Sequence, residues 1–258
     1  MRHKIVVTFL LPFLCVSSLV AQNRYNFSQF GDETIDFLKQ PAKWEGNDWV
    51  KLGLTGAGTF LVMQIDRPIR DAMMKDRSYY NSLPVTFGRL WGENTSTVVV
   101  AGVFGLHGVL TDNNSTKKVG FEIIQAAVYA GGITTILKVV VGRARPYTGK
   151  GAWTYTPFTI SDDGFHSFPS GHTTLAFAMS TVLARNTNSG TLKILAYIPA
   201  ALTAFSRAYQ DYHWASDCAI SAAVGYFAAT WVADVHAEKD SRVKISSIYP
   251  LTIQIYLD

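Results

Sequence analysis

A chain of 258 residues is long enough for one large domain, and no segment of it has the Pro-, Gly- or Ser-rich composition of an interdomain linker. Its formal net charge of +4 at pH 7 is mild and its basic residues are scattered, which makes nucleic acid a poor partner. Hydrophobic residues make up 48% of the sequence, a share that fits a helical domain either in water or associated with a membrane.

The first residues have the features of a secretory signal peptide. The basic start MRHK precedes an apolar stretch that ends near the small residue Ala21. We predict that residues 1–21 are removed and that 22–258 form a single domain, exported to the periplasmic side of the cell envelope. A retained membrane anchor is the alternative, which Pro12 and Ser17 weaken without excluding.

Six apolar stretches of helix length follow, and they are rich in Ala, Val, Leu and Gly without strand-like alternation. They lie at about 52–64, 97–110, 121–141, 172–184, 194–205 and 217–233. We predict an all-α fold, a bundle of about six core helices. Several stretches are shorter than the roughly 20 residues that cross a bilayer. Partial membrane embedding therefore stays open, with 121–141 and 217–233 as the best spanning candidates.

Two further segments differ from these stretches. Residues 66–81, DRPIRDAMMKDRSYYN, mix both charge signs and are predicted to form a solvated connector. In the tail, 243–258, Leu251, Ile253 and Ile255 alternate with other residues as in a β-strand. The tail itself indicates no function.

The first segment that carries chemistry is KVVVGRARP, which begins at Lys138 and ends at Pro146. Lys138 and Arg145 stand seven positions apart, which is two turns of a helix, so both cations can share one face. Gly142 and Pro146 are expected to loosen the helix end, so that Arg143 or Arg145 can turn toward a ligand. Taken alone, the segment equally fits the basic end of a membrane helix.

The second segment is FPSGHTT, residues 168–174, directly before an apolar stretch. Ser170 is a natural helix N-cap, and Gly171 permits close approach of the backbone to a ligand. The amides that follow point out of the helix start, which predicts an anion site. His172 would stand at its edge, near enough to exchange a proton with a leaving oxygen. The alternative is an ordinary capped helix with a surface histidine.

The third segment is SRAYQDYHWASD, residues 206–217, between two apolar stretches. Arg207 offers a planar fork of donors to phosphate oxygens. His213 and Asp217 are four positions apart, so on a helical turn the carboxylate can accept the imidazole N–H and leave the other ring nitrogen as a nucleophile. The alternative is a charged loop between two core helices.

Together the three segments resemble the signature of a known superfamily, the type 2 phosphatidic acid phosphatases and vanadium haloperoxidases. The matching positions are Lys138, Arg145, Pro146, Pro169 to His172, Ser206, Arg207, His213 and Asp217. So many specified positions in order are far beyond chance, and they outweigh the simpler interpretation of each segment. The resemblance covers roughly residues 120–235, the catalytic half of the chain.

This resemblance implies a role for each matching residue. His213 attacks phosphorus and becomes a phosphohistidine, His172 is the general acid for the leaving group, and Asp217 orients His213. The phosphate-binding residues are Lys138, Arg145, Ser170, Gly171 and Arg207. Because these groups neutralise the charge of the phosphate, we expect no metal ion and no other cofactor.

The sequence therefore predicts a metal-independent phosphatase that hydrolyses small phosphate monoesters or lipid phosphates and pyrophosphates and associates with a membrane. One alternative is a vanadium-dependent haloperoxidase, although family members of that kind resemble much longer chains. Another is a non-catalytic lipid-binding protein on the same scaffold, which the presence of both His172 and His213 disfavours. The identity of the substrate and the oligomeric state stay open.

Overall fold

The computed structural model describes residues 4–9, 23–248 and 251–256. Residues 10–22, which contain most of the predicted signal peptide and its cleavage position after Ala21, lie outside the described residues. The signal peptide and the limits of the single domain therefore stay predictions.

Ten α-helices make up the body of the described chain. They are α1 Phe27–Leu38, α2 Gly46–Met63, α3 Asp66–Met74, α4 Leu83–Trp91, α5 Asn94–Leu110, α6 Asn114–Val141, α7 Gly171–Arg185, α8 Gly190–Leu195, α9 Ile198–Tyr209 and α10 Ala215–Arg242. The predicted all-α class is confirmed, and the six apolar stretches correspond to α2, α5, α6, α7, α9 and α10. The stretch 194–205 divides between α8 and α9, where Pro199 lies in the first turn of α9 and its missing amide costs nothing.

Three strands lie near the chain termini, β1 Lys4–Phe9, β2 Val243–Ile248 and β3 Leu251–Tyr256. They form an antiparallel sheet in the order β1-β3-β2. β3 confirms the strand predicted from the alternation in the tail. β1 falls inside the segment predicted as the signal peptide.

The core lies where α10 packs along α7 and α6, with α5 packed against α6. Ile123, Met179 and Val232 are fully or almost fully buried there, and alanines fill much of the space between them. Gly225 of α10 lies so close to α7 that an added Cβ would come within 2.3 Å of the Thr174 carbonyl oxygen. This close packing fixes the spacing of α7 and α10, whose first turns carry residues of the predicted site.

Among the helices of the described residues, two are long and apolar enough to cross a membrane, by length and composition. They are α6, with 28 residues, and the 26 residues of α10 up to Asp240. This confirms 121–141 and 217–233 as spanning candidates. The neighbouring α2 and α5 expose apolar side chains that include Leu54, Leu61 and Val103, a surface typical of contact with lipid or with another protein.

The predicted solvated connector at 66–81 is wrong in its first half. Residues Asp66–Met74 form α3, and Asp66 is only 1% exposed. The local sequence could not indicate this, because the groups that compensate the buried carboxylate, Arg143 and Ser216, come from distant parts of the chain.

Candidate active site

The structure brings the three motif segments together at one end of the bundle. Lys138 lies in the last turn of α6 and Arg207 in the last turn of α9. His213 lies in the loop before α10, where it is almost fully buried. Burial, followed by the charges of Lys138, Arg145 and Arg207, holds the pKa of His213 well below its usual value. A neutral imidazole among three cations is suited to attack an anion that those cations attract.

The end of α6 depends on Gly142. Its φ of 57° is in the left-handed region, and its N–H donates to the Lys138 carbonyl to cap the helix. An added Cβ would come within 1.8 Å of the Thr156 carbonyl oxygen, so only glycine fits. Because the chain leaves the helix at Gly142, the side chains of Arg143 and Arg145 reach different partners.

His213 is oriented by a backbone carbonyl. Its Nδ1 lies 2.7 Å from the Ser167 carbonyl oxygen and 3.9 Å from Asp217 Oδ2. The predicted hydrogen bond from the His213 ring to Asp217 is therefore not formed, and Nδ1–H donates to Ser167 instead. This leaves Nε2 as the ring nitrogen with a lone pair.

Asp217 acts on His213 through Ser167. Its buried carboxylate accepts from the Ser167 hydroxyl at 2.5 Å, from the Trp214 amide at 2.8 Å and from Arg143 Nη1 at 2.7 Å. The carboxylate thus fixes the residue whose carbonyl holds His213. Asp217 is better described as a positioning residue than as the direct partner of a catalytic dyad.

Arg143 is a structural cation. It is fully buried, and its guanidinium bonds Asp66 at 2.8 Å, Asp217 at 2.7 Å and the Ala152 carbonyl at 2.8 and 2.9 Å. A guanidinium engaged in this way has little capacity for a ligand. Of the two arginines that the first motif offered, Arg145 is therefore the one with donors left for a ligand.

The three other cations are partly engaged. Lys138 Nζ donates to the His166 carbonyl at 2.5 Å, and Arg145 Nη2 donates to Asp163 Oδ1 at 2.7 Å. The Asp163 side chain is 70% exposed, yet it is paired with Arg145.

Arg207 has one donor that is bonded and one that is not. Its Nη1 donates to Gln210 Oε1 at 3.0 Å, and its buried Nε has no hydrogen-bond partner within the described residues. Buried donors are almost always satisfied, so this Nε indicates a position where an anion binds.

Ser170 and His172 occupy the start of α7, as predicted. The Ser170 hydroxyl oxygen accepts from the Thr173 hydroxyl at 3.0 Å, which leaves its own proton for a ligand. Burial, followed by the charges of Arg207, Lys138 and Arg145, lowers the pKa of His172 to about 4.

A cleft of about 810 Å³ begins at the site and runs between α5, α6 and α7. Lys138, Gly171 and His172 line one part of it. Small and apolar residues line another part, namely Val98, Ala127, Val128, Gly131 and Leu175. The cleft therefore leads from Lys138 and His172 along walls in which these apolar residues alternate with polar ones such as Thr134 and Thr135.

The donor set of a metal site is not found in the described ranges 4–9, 23–248 and 251–256, where no group of three or more His, Cys, Asp or Glu side chains could hold a metal ion. The positive charge of the site comes from Lys138, Arg145 and Arg207.

Comparison with known proteins gives the same superfamily that the motif residues resemble. Residues 120–240 match the model of the PAP2 superfamily. The lipid A 1-phosphatase of Porphyromonas gingivalis is 34% identical over 110 residues, which are 41% of this chain and 22% of that protein. The alignment thus spans about a fifth of that relative's length.

Two solved structures are similar to this chain. A transmembrane PAP2-type phosphatidylglycerolphosphate phosphatase from Bacillus subtilis has a TM-score of 0.55 at 17% identity, over 71% of this chain and 94% of that one. LpxE from Aquifex aeolicus has a TM-score of 0.49 at 21% identity, over 66% and 93%. The Bacillus structure shows a shared helical fold. Residues 120–240, the segment that carries all three motifs, are thus the part of this chain that matches the PAP2 superfamily.

Proposed function

We propose that the chain is a phosphatase that removes phosphate from lipids through a phosphohistidine on His213, without a metal ion. The observation that carries the proposal is the neutral, buried His213 with Nδ1 held by a carbonyl and three cations around it. The lipid A 1-phosphatase and the phosphatidylglycerolphosphate phosphatase among its relatives and structural neighbours support this reaction class.

In the first step, His213 Nε2 attacks phosphorus in line with the bond to the leaving oxygen. The new P–N bond forms as the P–O bond breaks, and His172 donates a proton to the departing alkoxide. Nδ1–H stays hydrogen-bonded to the Ser167 carbonyl, which stabilises the positive charge that develops on the ring. In the second step, water gives a proton to His172 and attacks phosphorus, which releases inorganic phosphate and restores His213.

Charge on the three equatorial oxygens is balanced by fixed donors. Lys138, Arg145 and Arg207 supply positive charge, while the Ser170 hydroxyl and the Gly171 amide supply hydrogen bonds. These groups take the place that Mg²⁺ has in many phosphoryl-transfer enzymes.

The protonation of His172 is coupled to substrate binding. Because burial, followed by the neighbouring cations, depresses the pKa of His172 to about 4 in the free site, the ring is neutral at pH 7 before substrate arrives. A bound phosphate dianion offsets those cations and raises the pKa of His172, so the ring can then hold the proton that the leaving group needs.

The cleft between α5, α6 and α7 favours a lipid over a small phosphomonoester. Its apolar part continues from His172 along small side chains, which suits an acyl chain whose phosphate lies at Lys138. The apolar length of α6 and α10 fits membrane association, and the predicted signal peptide fits a site on the periplasmic side of the cell envelope.

The test of the reaction is release of inorganic phosphate by the purified mature protein in excess chelator. The substrate panel is phosphatidic acid, phosphatidylglycerol phosphate, undecaprenyl pyrophosphate, lipid A phosphate and p-nitrophenyl phosphate. We expect release from at least one lipid and an acid-labile phosphoprotein. Activity that chelator abolishes and Mg²⁺ or Zn²⁺ restores would contradict the proposal.

Two neighbouring glycines of α6 test the lipid part separately. Gly131 lines the cleft and Gly132 does not, and both have open space where a Cβ would stand. We expect Gly131→Leu to slow lipid turnover by about tenfold or more while p-nitrophenyl phosphate is still hydrolysed, and Gly132→Leu to change neither. Equal effects of the two substitutions on lipid turnover would exclude the cleft as the chain site.

A further inference from the structure

α3 precedes the segment that matches the PAP2 superfamily, yet it contacts the loop that carries His213 at two points. Asp66 accepts from the Ser216 amide at 2.9 Å and from the Ser216 hydroxyl at 2.5 Å. Arg70 donates to both carboxylate oxygens of Asp211, at 2.6 and 2.8 Å. The two contacts lie on either side of His213, two residues before it and three residues after it.

The sequence of α3 places these two groups on one face. Asp66 and Arg70 are four positions apart, so they lie one above the other on a helix. The other charges of the same segment, Arg67 and Asp71, are exposed. The pattern DRPIRD thus contains two similar charge pairs, and one member of each pair faces the loop.

The contact at Asp211 holds an unusual backbone. Asp211 has a φ of 67°, in the left-handed region that residues other than glycine rarely adopt. Its carboxylate is fixed by the bidentate pair with Arg70, and its carbonyl accepts from the Tyr147 amide at 3.1 Å. This conformation sets the direction in which the chain enters His213, so releasing the carboxylate would free the loop on that side.

The contact at Ser216 continues into the site. Asp66 also accepts from Arg143 at 2.8 Å, and Arg143 bonds Asp217. Asp217 holds the Ser167 hydroxyl, and the Ser167 carbonyl holds His213. Asp66 is therefore connected to the nucleophile both through the loop backbone and through a chain of buried hydrogen bonds.

We propose that Asp66 and Arg70 of α3 are positioning residues: they fix residues 211–216, which are the loop before α10 and the start of that helix, and so hold His213 Nε2 in line for attack. The inference rests on the proposed phosphatase function. Neither residue touches the phosphate; their effect is on the distance and angle between Nε2 and phosphorus. A displacement of about 1 Å at a reacting atom can cost on the order of 10²-fold in rate.

The experiment compares Asp66→Asn and Arg70→Gln with the matched exposed controls Asp71→Asn and Arg67→Gln. Each is purified, and its folding is checked by gel filtration and thermal unfolding. For p-nitrophenyl phosphate we expect kcat to fall about 10- to 100-fold in the two loop-facing variants with KM nearly constant, because ground-state binding uses other groups. Both controls should stay within about twofold of wild type. Arg70→Lys should recover part of the rate, since it keeps the charge without the fork.

Inhibitor binding separates positioning from loss of structure. Vanadate bonded to His213 Nε2 resembles the five-coordinate transition state, whereas inorganic phosphate needs only the cations. We expect vanadate affinity to fall with kcat and phosphate affinity to change less than about threefold. Arg70 is partly exposed, so Arg70→Gln tests the inference even where Asp66→Asn does not fold.

Two results would overturn the inference. One is that Arg70→Gln matches Arg67→Gln in kcat, and the other is that vanadate and phosphate affinities fall together. Failure of the proposed function looks different, because wild type and both controls would then also release no phosphate.

Discussion

Two buried histidines lie near opposite ends of α10, and their surroundings differ. His213, just before the helix, has cations around it, Nδ1 on a carbonyl and Nε2 without a hydrogen bond to the described residues. His236, near the other end, bonds Glu122 through Nδ1 and Glu33 through Nε2, each at 3.0 Å. A histidine with both nitrogens committed to carboxylates ties helices together. A histidine with one nitrogen uncommitted can attack.

The largest difference between the two histidines is expected on removal of each ring. His213→Ala should lower phosphate release by at least about 10⁴-fold, because the nucleophile is lost. His236→Ala should leave the rate per folded molecule close to wild type and lower the thermal midpoint. Acid-labile phosphorylation that persists in His213→Ala would remove His213 from its role.

The cationic surroundings of His213 can be reduced one charge at a time. Arg207→Ala should lower kcat/KM about 10²- to 10³-fold, and Arg207→Lys should lower it less, since the lysine keeps charge but loses the fork. The same donors should make vanadate a competitive inhibitor in excess chelator. An Arg207→Ala variant near wild type would break the proposed mechanism.

The loss of rate caused by removing His172 should depend on the leaving group of the substrate. His172→Ala is expected to cost about 10²-fold with an alkyl phosphate, whose alkoxide needs a proton, and much less with p-nitrophenyl phosphate. Kinetics on the two substrates in parallel provide the measurement. Equal losses on both would exclude general-acid catalysis by His172.

The pH dependence of kcat/KM should be sensitive to the same three cations. Burial and the charges of Lys138, Arg145 and Arg207 depress the pKa of His213 below its usual value of 6.5. The ring is therefore still neutral at pH 6.5, and activity should fall only when the pH drops through the depressed pKa. Lys138→Met removes one of these charges, so the pKa of His213 rises toward its usual value. The acidic limb of kcat/KM should then move to higher pH, and an unmoved limb would contradict the assignment.

Substitution of Glu33, which bonds His236 near the C-terminal end of α10, should change catalysis least but should clearly lower stability. Burial opposes ionisation of Glu33, but hydrogen bonds from His236, Lys239 and Gln125 outweigh it and hold its pKa at about 2. Since this is below the unfolded value of 4.5, the stabilisation is complete above about pH 4.5 and is lost as the pH falls toward 2.

Glu33→Gln should therefore cost about 3 kcal/mol of unfolding free energy at pH 7, and the cost should shrink at pH 3. Asp32→Asn, an exposed neighbour in α1, is the matched control. Thermal unfolding at the two pH values measures the difference. A cost that does not depend on pH would mean that packing, not charge, holds α1 to the bundle.

The motif residues could be predicted from sequence because each lies beside a helix end whose signals are local. Ser170 caps α7 as expected, and Gly142 ends α6. The partners of Arg143 and His236 could not be predicted. Asp66 is 77 positions from Arg143, and Glu33 is 203 positions from His236, so no short pattern joins them.

The acceptor that orients His213 could not be predicted either, for another reason. It is the Ser167 carbonyl, and every residue has such a group. The His213–Asp217 spacing suggested a direct bond, and the helical turn does place the two side by side. Three closer donors occupy the Asp217 carboxylate instead.

A peptide carbonyl as the acceptor for His213 Nδ1 makes this one hydrogen bond independent of pH. A carboxylate in that position would take up a proton as the surroundings became acidic, and the ring would then lose its preferred tautomer. The Ser167 carbonyl has no proton to gain in any physiological range, and no side-chain substitution deletes it. The acceptor of Nδ1–H is thus a group that does not titrate, and the titratable group, the Asp217 carboxylate, stands one hydrogen bond further away, on the Ser167 hydroxyl.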